Sequence, residues 1–176
     1  AAQVDAEHDG LRTLWCVVAH HGDCIQAAAL ACAVSARRMA IKVQLVYTEV
    51  NDALAFAHSL FSPKVRDSTV ALRADGIDDD ARQLALGEAF RQSVESEQPT
   101  AVVVFGGTST ALACATAARD AQVLVVHIGA GVRAGASWVA LDETARRVDQ
   151  LADLLFTTDP QASAALEAES IPASRV

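Results

Sequence analysis

The sequence predicts an α/β domain on a doubly wound parallel sheet of the Rossmann-like type. Short continuous apolar runs, such as 13–19 (TLWCVVA) and 100–105 (TAVVVF), have the character of strands that are buried on both faces. These runs alternate with segments whose apolar residues recur at helical spacing, and this alternation implies right-handed crossovers and helices on both faces of the sheet. Apolar residues make up 52% of the chain and aromatic residues only 5%, which favours packed helices and sheet over a β-sandwich.

The elements follow one another at short intervals along 176 residues. Strands are expected at the apolar runs 13–19, 42–48, 68–72, 100–105, 122–128 and 154–157. Helices are expected at 24–38, 52–61, 81–97, 109–119, 141–152 and after Pro160. The basic pair Arg37-Arg38 suits a helix C-terminus, Pro63 closes the short second helix, and Asp78-Asp79-Asp80 suits a cap at the start of the third. We expect residues 1–12 to form a polar extension and residues 13–176 to form one domain.

Charge and cysteine usage exclude several classes of protein. A formal net charge of -8 disfavours binding to nucleic acid and to anionic membranes, because both repel an acidic protein. No apolar run reaches the length of a membrane span, and the polar N-terminus lacks the layout of a signal peptide. Cys16, Cys24, Cys32 and Cys114 show no CxxC spacing and lie in apolar runs, so we expect buried free thiols and a cytoplasmic location.

Loops at the carboxyl ends of the predicted strands should contain the functional site. In a doubly wound sheet, ligands bind beyond these ends, which places the loops 19–24, 105–108 and 129–137 around one crevice. The glycine-rich run 129–135 (GAGVRAG) fits a GxGxxG nucleotide fingerprint loosely, and that pattern alone is weak.

Four motifs in the second half of the chain resemble those of non-hydrolysing UDP-N-acetylglucosamine 2-epimerases. They are PTAVVVFGGTSTALACATAA, VLVVHIGAGVRAG, LDETARR and LADLLFTTDPQASAALEAESIPASRV, in the same order and at close spacing to the family's motifs. The first half matches weakly, through VVAHHGDCIQAAAL. The resemblance implies the N-terminal half of a GT-B fold, whose active site lies in the cleft between two Rossmann-like domains. The chain stops where the family pattern enters its last strand before the linker, which leaves a natural end at Val176, a truncation, a processed product and a split gene as open alternatives.

The same resemblance implies that the catalytic acids are missing. Epimerisation at C2 needs carboxylates that move protons, and the family carries them at three positions. Two of these positions are Gly107 and Gly129 here, and glycine has no acid–base group. A two-residue length difference leaves the third position open between Leu141 and Glu143. We therefore expect no catalytic residues, no cofactor and no metal in this chain.

Several family positions keep residues that are able to hold a ligand. The candidate ligand-binding residues are His20, His21, Asp23, Gly106, Thr108, His127, Arg133 and Glu143. In the structural interpretation, which we favour, the glycines serve tight turns and Arg133 pairs with an acidic neighbour. Either way, the start of the helix near 109 offers backbone amides that suit an anion.

A zinc site is a competing interpretation of the first loop. His20, His21, Asp23 and Cys24 form a compact group of ligand types, and VVAHHGD is similar to the first motif of zinc-dependent GlcNAc deacetylases. The position of that family's catalytic base is Gly22 here, and no later histidine pair completes a site. A plain strand-to-helix turn is the favoured interpretation.

Three functions follow, in order of preference. The first is a non-catalytic module that associates with itself, as a homodimer, or with a second GT-B-like chain, with a nucleotide sugar as a further candidate ligand. The second is one half of a sugar-nucleotide epimerase or split GT-B enzyme completed by another chain, and the third is a deacetylase-like zinc hydrolase. Association is also suggested by the helical segments 24–36 and 81–90, which carry alanine and other apolar residues on more than one face.

Overall fold

The computed structural model describes residues 12–48, 66–69, 79–135 and 139–176. In chain order these residues form β1 (Arg12–Val18), α1 (His21–Ala36), β2 (Ile41–Tyr47), β3 (Arg66–Thr69), α2 (Asp79–Glu97), β4 (Ala101–Phe105), α3 (Ser109–Asp120), β5 (Leu124–Ala130), α4 (Val139–Leu151), β6 (Leu154–Thr157), α5 (Pro160–Ala168) and a 3-10 turn (Ala173–Arg175). The predicted helix at 52–61 and Asp78 lie outside the described residues, as does all of the predicted N-terminal extension except Arg12, which begins β1. None of the helices within these ranges is long and apolar enough to cross a membrane.

The six strands form one parallel sheet in the order β3-β2-β1-β4-β5-β6. The chain moves outward from β1 to one edge, returns to the centre at β4 and continues to the other edge. The prediction of a doubly wound α/β fold is therefore confirmed. The reversal of direction falls between β1 and β4, so the crevice at their carboxyl ends is the place where this architecture binds ligands.

Several element boundaries differ by two or three residues from the predicted ones, and local hydrogen bonds explain two of these differences. Helix α1 begins at His21, three residues early, since Asp23 accepts hydrogen bonds from the backbone N–H groups of Ala19 and His20 and so closes the first turn. Strand β5 begins two residues late. Gln122 has φ +60 and donates its N–H to Arg119, so this residue ends the preceding helix and does not join the strand.

Apolar side chains pack on both faces of the sheet. On the face covered by α1, which we call the α1 face, the core includes Cys16, Val18 and Phe105. The opposite face is covered by α2, α3 and α4. There Trp15 meets Phe90 edge-to-face, with ring centroids 5.8 Å apart.

The cysteines are free thiols, but one of them is not buried as predicted. Cys16, Cys24 and Cys114 are buried, and burial raises the pKa of the Cys16 thiol to about 12. Cys32 is exposed, because it lies on the outer side of α1. Apolar neighbours in the sequence did not reveal which side of this helix faces water.

A glycine after β5 lets the last helix approach the sheet closely. Gly131 has φ +77, and a Cβ added there would lie 2.7 Å from the carbonyl carbon of Ala162 in α5. Gly135, further along the same loop, also has a positive φ (+84), but nothing lies within 4 Å of its Cβ position. A side chain at Gly135 would therefore add backbone strain alone, whereas one at Gly131 would add both backbone strain and steric overlap.

Gly131→Ala should destabilise the protein by more than about 3 kcal/mol, because it adds overlap to a strained φ. Gly135→Ala should cost only about 1–2 kcal/mol, from the strained φ alone. Urea unfolding followed by circular dichroism measures both values. Equal losses for the two variants would show that α5 does not pack against Gly131 as described.

Candidate functional site

Three turns meet at the carboxyl edge of the sheet, as predicted. They are the β1–α1 turn at residues 19–20, the β4–α3 turn at residues 106–108 and the segment 129–135, which begins in the last residues of β5. Their arrangement follows from the sheet order, since β4 lies between β1 and β5. The candidate residues of these turns line one edge, but their side chains have different roles.

The β1–α1 turn is closed by Asp23. Its Oδ2 atom accepts hydrogen bonds from the N–H groups of Ala19 (2.9 Å) and His20 (3.2 Å) and lies 3.0 Å from His20 Nδ1. The Asp23 side chain is buried, whereas His20 and His21 are exposed. Burial, reinforced by the Asp23 charge, raises the pKa of Cys24. Across the described ranges, no three His, Cys, Asp or Glu side chains converge as a metal site. Asp23 therefore acts as a helix cap here.

The β4–α3 turn packs against helix α4 at Gly107, one of the two positions that were predicted to lack a carboxylate. Thr108 caps α3 by accepting a hydrogen bond from the N–H of Ala111 (3.1 Å), and Gly106 has φ +62. Gly107 faces Ala145 of α4. A Cβ at position 107 would overlap the Cβ of Ala145 and lie 2.7 Å from its Cα. Helix α4 thus occupies the space that any side chain at position 107 would need.

Position 129 disfavours a side chain for a different reason. Gly129 has φ +87, a backbone conformation that residues with a Cβ rarely adopt. It lies within an irregularity in the pairing of β5 with β6, between Ile128 and Ala130. The backbone at this strand end is therefore shaped around glycine.

His127 is buried beneath this edge with partners on both ring nitrogens. Its Nδ1 lies 2.7 Å from Asp149 Oδ1, and its Nε2 lies 2.9 Å from the carbonyl oxygen of Gly106. A carbonyl oxygen only accepts hydrogen bonds, so Nε2 must carry a hydrogen. The ring thereby joins β5 to both α4 and the β4–α3 turn, and neither nitrogen is open to a ligand.

Arg133 also points into this buried group. Its Nη2 lies 2.7 Å from Asp149 Oδ2 and 2.6 Å from Glu169 Oε2, and its Nε donates to Glu169 Oε1 (3.0 Å). Arg146 donates to the same Glu169 oxygen. Burial acts to raise the pKa of Asp149, but hydrogen bonds from His127 and Arg133 outweigh it and hold that pKa below its usual value. The expected pairing of Arg133 with an acidic neighbour is confirmed.

Leu141 and Glu143, the two alternatives for the third predicted acidic position, both lie on the exposed side of helix α4. Leu141 is exposed, and the side chain of Glu143 is 65% exposed, 3.8 Å from Arg146. Asp142 between them is buried, and it accepts hydrogen bonds from the N–H groups of Ala134 (2.6 Å) and Gly135 (3.1 Å).

Sequence reasoning missed both buried aspartates of this helix. Asp142 and Asp149 are seven residues apart, which places them on one side of α4 together with Ala145. This spacing of seven residues was the signal in the sequence that the two aspartates share one side of the helix. It was obscured because acidic residues also occur on exposed helix faces.

Comparisons with known proteins agree with this architecture. The family model described as UDP-N-acetylglucosamine 2-epimerase matches residues 33–176, which is most of the chain. No curated protein sequence matches. Among solved structures, the UDP-GlcNAc 2-epimerase from Neisseria meningitidis bound to UDP-GlcNAc superimposes with a TM-score of 0.83 at 22% identity, over 94% of this chain and 46% of that one. The enzyme from Rickettsia bellii gives 0.69 at 25% identity, over 94% and 43%.

A more distant similarity shows how general the fold is. MurG from Acinetobacter baumannii matches with a TM-score of 0.65 at 14% identity, over 86% of this chain and 42% of that one. The chain spans less than half the length of each of these three solved structures. The match of the family model and the shared architecture give the same answer: this chain belongs to the UDP-N-acetylglucosamine 2-epimerase family.

Proposed function

We propose that this chain is a non-catalytic version of the N-terminal half-domain of the epimerase family and that it acts by association. The observation that carries the proposal is the contact between Gly107 and Ala145. Family resemblance assigns a catalytic carboxylate to position 107, and here a neighbouring helix fills the volume that its side chain would occupy.

The second replaced position supports the same conclusion independently. A glutamate at position 129 would have to adopt φ +87. Loss of one proton-transfer group typically slows an enzyme on the order of 10²–10⁴-fold, and two are lost here. Glu143 does not replace either of them, because its carboxylate is exposed beside Arg146.

Retained family residues fit a structural role. His127 and Arg133 are saturated by Asp149, Glu169 and the carbonyl of Gly106, so their retention needs no ligand to explain it. In the same way, Asp23 is engaged by backbone N–H groups of its own turn, which disfavours a zinc-dependent hydrolase.

Completion by a second domain is the alternative that an observation favours. The chain spans 43–47% of the solved epimerase structures, and the one from Neisseria meningitidis is bound to UDP-GlcNAc. A supplied second domain would restore the remainder of a nucleotide-sugar site. It would leave positions 107 and 129 unchanged, however, and for this reason we favour the non-catalytic role.

A groove between helices on the face of the sheet opposite α1 is the surface that we propose for self-association. It has a volume of about 640 Å³, lies between α2 and α3 and reaches α4. Leu84, which is 76% exposed, and Leu112 give it an apolar centre. Acidic and basic side chains line it together, namely Asp80, Glu88, Arg91, Asp120 and Arg147. Because both signs of charge are present, two copies related by a twofold axis are able to pair opposite charges.

The first prediction of this proposal concerns catalysis. The chain should show no UDP-GlcNAc 2-epimerase turnover in a coupled assay, and Gly107→Asp with Gly129→Glu should not rescue it, even with a separately supplied C-terminal half of the Neisseria meningitidis enzyme. Gly107→Asp should also lower the unfolding midpoint in urea, because it forces α4 away. Turnover at about 1 per second or faster, the lower end of ordinary enzyme rates, would refute the non-catalytic assignment.

The second prediction concerns the buried charges. Asp149→Asn should cost about 3–5 kcal/mol at pH 7, because it removes the fully buried carboxylate that pairs with His127 and Arg133 and leaves Arg133 only the partly exposed Glu169. The pKa of Asp149 lies below its ordinary value near 3.8, so the stabilisation is present above that value and is lost as the pH falls through the lowered pKa. Urea unfolding between pH 7 and pH 3 should therefore show a smaller acid loss for the variant.

Glu143→Gln is the matched control for this measurement, since it removes an exposed carboxylate from the same helix. It should change the stability by less than about 0.5 kcal/mol. If Asp149→Asn behaved like this control, Asp149 would not be the structural centre of the site.

The third prediction concerns association. Wild-type protein should sediment as a dimer at micromolar concentration, and Leu84→Asp should yield monomers, because it places a charge in the apolar centre of the groove. Ile25→Asp is the control, since Ile25 is also exposed (56%) but lies on α1, on the other side of the sheet. A monomeric wild type, or a dimer unaffected by Leu84→Asp, would argue against the groove as the interface.

A further inference from the structure

His127 is a buried histidine whose two ring nitrogens both face oxygen atoms. The residue is 1% exposed, its Nδ1 lies 2.7 Å from Asp149 Oδ1, and its Nε2 lies 2.9 Å from the carbonyl oxygen of Gly106. A neutral imidazole ring carries one hydrogen, so either of its tautomers would turn a nitrogen lone pair towards one of these oxygens. Only the imidazolium, which carries a hydrogen on both nitrogens, donates at both contacts.

Asp149 is the acceptor in its contact with the ring. Its other oxygen, Oδ2, accepts hydrogen bonds from Arg133 Nη2 (2.7 Å) and from the N–H of Gly131 (3.3 Å). Burial acts to raise the pKa of Asp149, but the hydrogen bonds from His127 and Arg133 outweigh it and hold that pKa below its usual value. The carboxylate is therefore ionised at neutral pH, and the hydrogen between Asp149 and His127 belongs to Nδ1.

The charged side chains around this pair balance one another without the ring. Arg133 pairs with Asp149 and with Glu169, and Arg146 pairs with the same Glu169. Arg175 meets only the backbone here, where it donates to the carbonyl oxygen of Asp149 (2.6 Å). Two arginines thus face two carboxylates, and the imidazolium adds one positive charge to a balanced group. Arginine keeps its proton in proteins, so the ring proton is the one that leaves as the pH rises.

The neighbours of the ring on the other elements stay uncharged. Val104 on β4 and Leu155 on β6 are paired beside His127. Cys114 on α3 belongs to the core on this side of the sheet, and burial raises the pKa of its thiol. Among the described residues around the ring, His127 is therefore the group whose charge changes near neutral pH.

The two hydrogen bonds of the ring differ in strength. Nδ1 donates to an ionised carboxylate, whereas Nε2 donates to the neutral carbonyl oxygen of Gly106. A hydrogen bond with a charged acceptor is roughly twice as strong as one with a neutral acceptor. A ring that has lost one proton therefore keeps its hydrogen at Nδ1, beside Asp149, and loses the contact with Gly106.

We propose that His127 is a proton-operated latch on the β4–α3 turn: the imidazolium ties the carbonyl of Gly106 to Asp149 on α4, and loss of the Nε2 hydrogen releases the turn. Gly107 follows Gly106 directly and lies against Ala145 of α4, so the latch controls how closely this turn packs on that helix. The contact stabilises the turn at low pH and is lost as the pH rises through the ionisation of the ring. It depends on these contacts alone and is independent of the non-catalytic role and of self-association.

Nitrogen-15 NMR of the histidine-labelled protein tests the charge state of the ring directly. The signals of His127 are assigned through the bonds that connect the ring to its own backbone. We expect one-bond N–H couplings at both ring nitrogens at pH 5 and loss of the Nε2 coupling alone by pH 9. A ring that carries a single hydrogen throughout, that keeps both hydrogens up to pH 9, or that loses the Nδ1 hydrogen first would overturn the proposal.

Amide hydrogen exchange measures the release of the turn. The amide of Gly106 donates to the carbonyl of Ile128 (3.1 Å), and its protection factor, which is corrected for the intrinsic effect of pH, reports how often this bond opens. Between pH 5 and pH 9 this protection should fall at least about tenfold, the effect of losing a hydrogen bond from a charged donor. The control is the amide of Thr100, which donates to Thr13 (2.9 Å) at the other end of β4 and should change by less than about twofold. No change at Gly106, or an equal change at both amides, contradicts the latch.

A pair of variants assigns the pH effect to one ring. His127→Gln removes the titratable group, so the pH dependence of the Gly106 protection should disappear. His20→Gln is the matched control, because it removes an exposed histidine from the same edge of the sheet and should leave that dependence unchanged. A dependence that survives His127→Gln belongs to another group and overturns the proposal. If this variant does not fold, the two measurements on the wild-type protein decide.

Discussion

The buried carboxylate of Asp149 is the interaction on which the second half of this domain depends. It accepts from His127 in β5, from the N–H of Gly131 in the following loop and from Arg133. Arg133 carries the connection onward to Glu169 at the end of α5. One charge from α4 thus fixes a strand, a loop and the last helix. A buried carboxylate is tolerated only with several such partners, because its desolvation would otherwise cost several kcal/mol.

The position of α4 then determines that the crevice has no room for a side chain at position 107. Asp142 holds the N-terminal turn of the helix to the loop at 134–135, while Asp149 holds its C-terminal half. Ala145 lies between these two anchors on the same side of the helix, and it is this residue that meets Gly107. The closure at position 107 is therefore a consequence of how the helix is anchored. It cannot be relieved by a rotamer change of a single side chain.

The parts of this structure that could be predicted are those set by pattern over many residues. Continuous apolar runs gave the strands, and their alternation with helical periodicity gave the parallel, doubly wound order, as at β4 and β5. The element boundaries that were predicted wrongly depend on single hydrogen bonds. Those to Asp23 start α1 earlier than predicted, and the backbone hydrogen bond of Gln122 starts β5 later. Burial on one side could not be read from an apolar run either, since Phe156 and Leu155 look alike in sequence but lie on opposite faces.

These features bear on the proposal that Gly107 and Gly129 stand at positions where the family has catalytic carboxylates. A side chain at position 107 requires α4 to move outward, and that movement would strain the contacts of Asp142 and Asp149 at the same time. Gly129 adds a second obstacle, because a side chain there would have to adopt φ +87, a strained backbone conformation for residues with a Cβ. The two glycines and the two aspartates thus form one packed arrangement. Acidic side chains introduced at positions 107 and 129 alone would oppose that arrangement. A working proton-transfer site would need a rearranged backbone as well as new carboxylates.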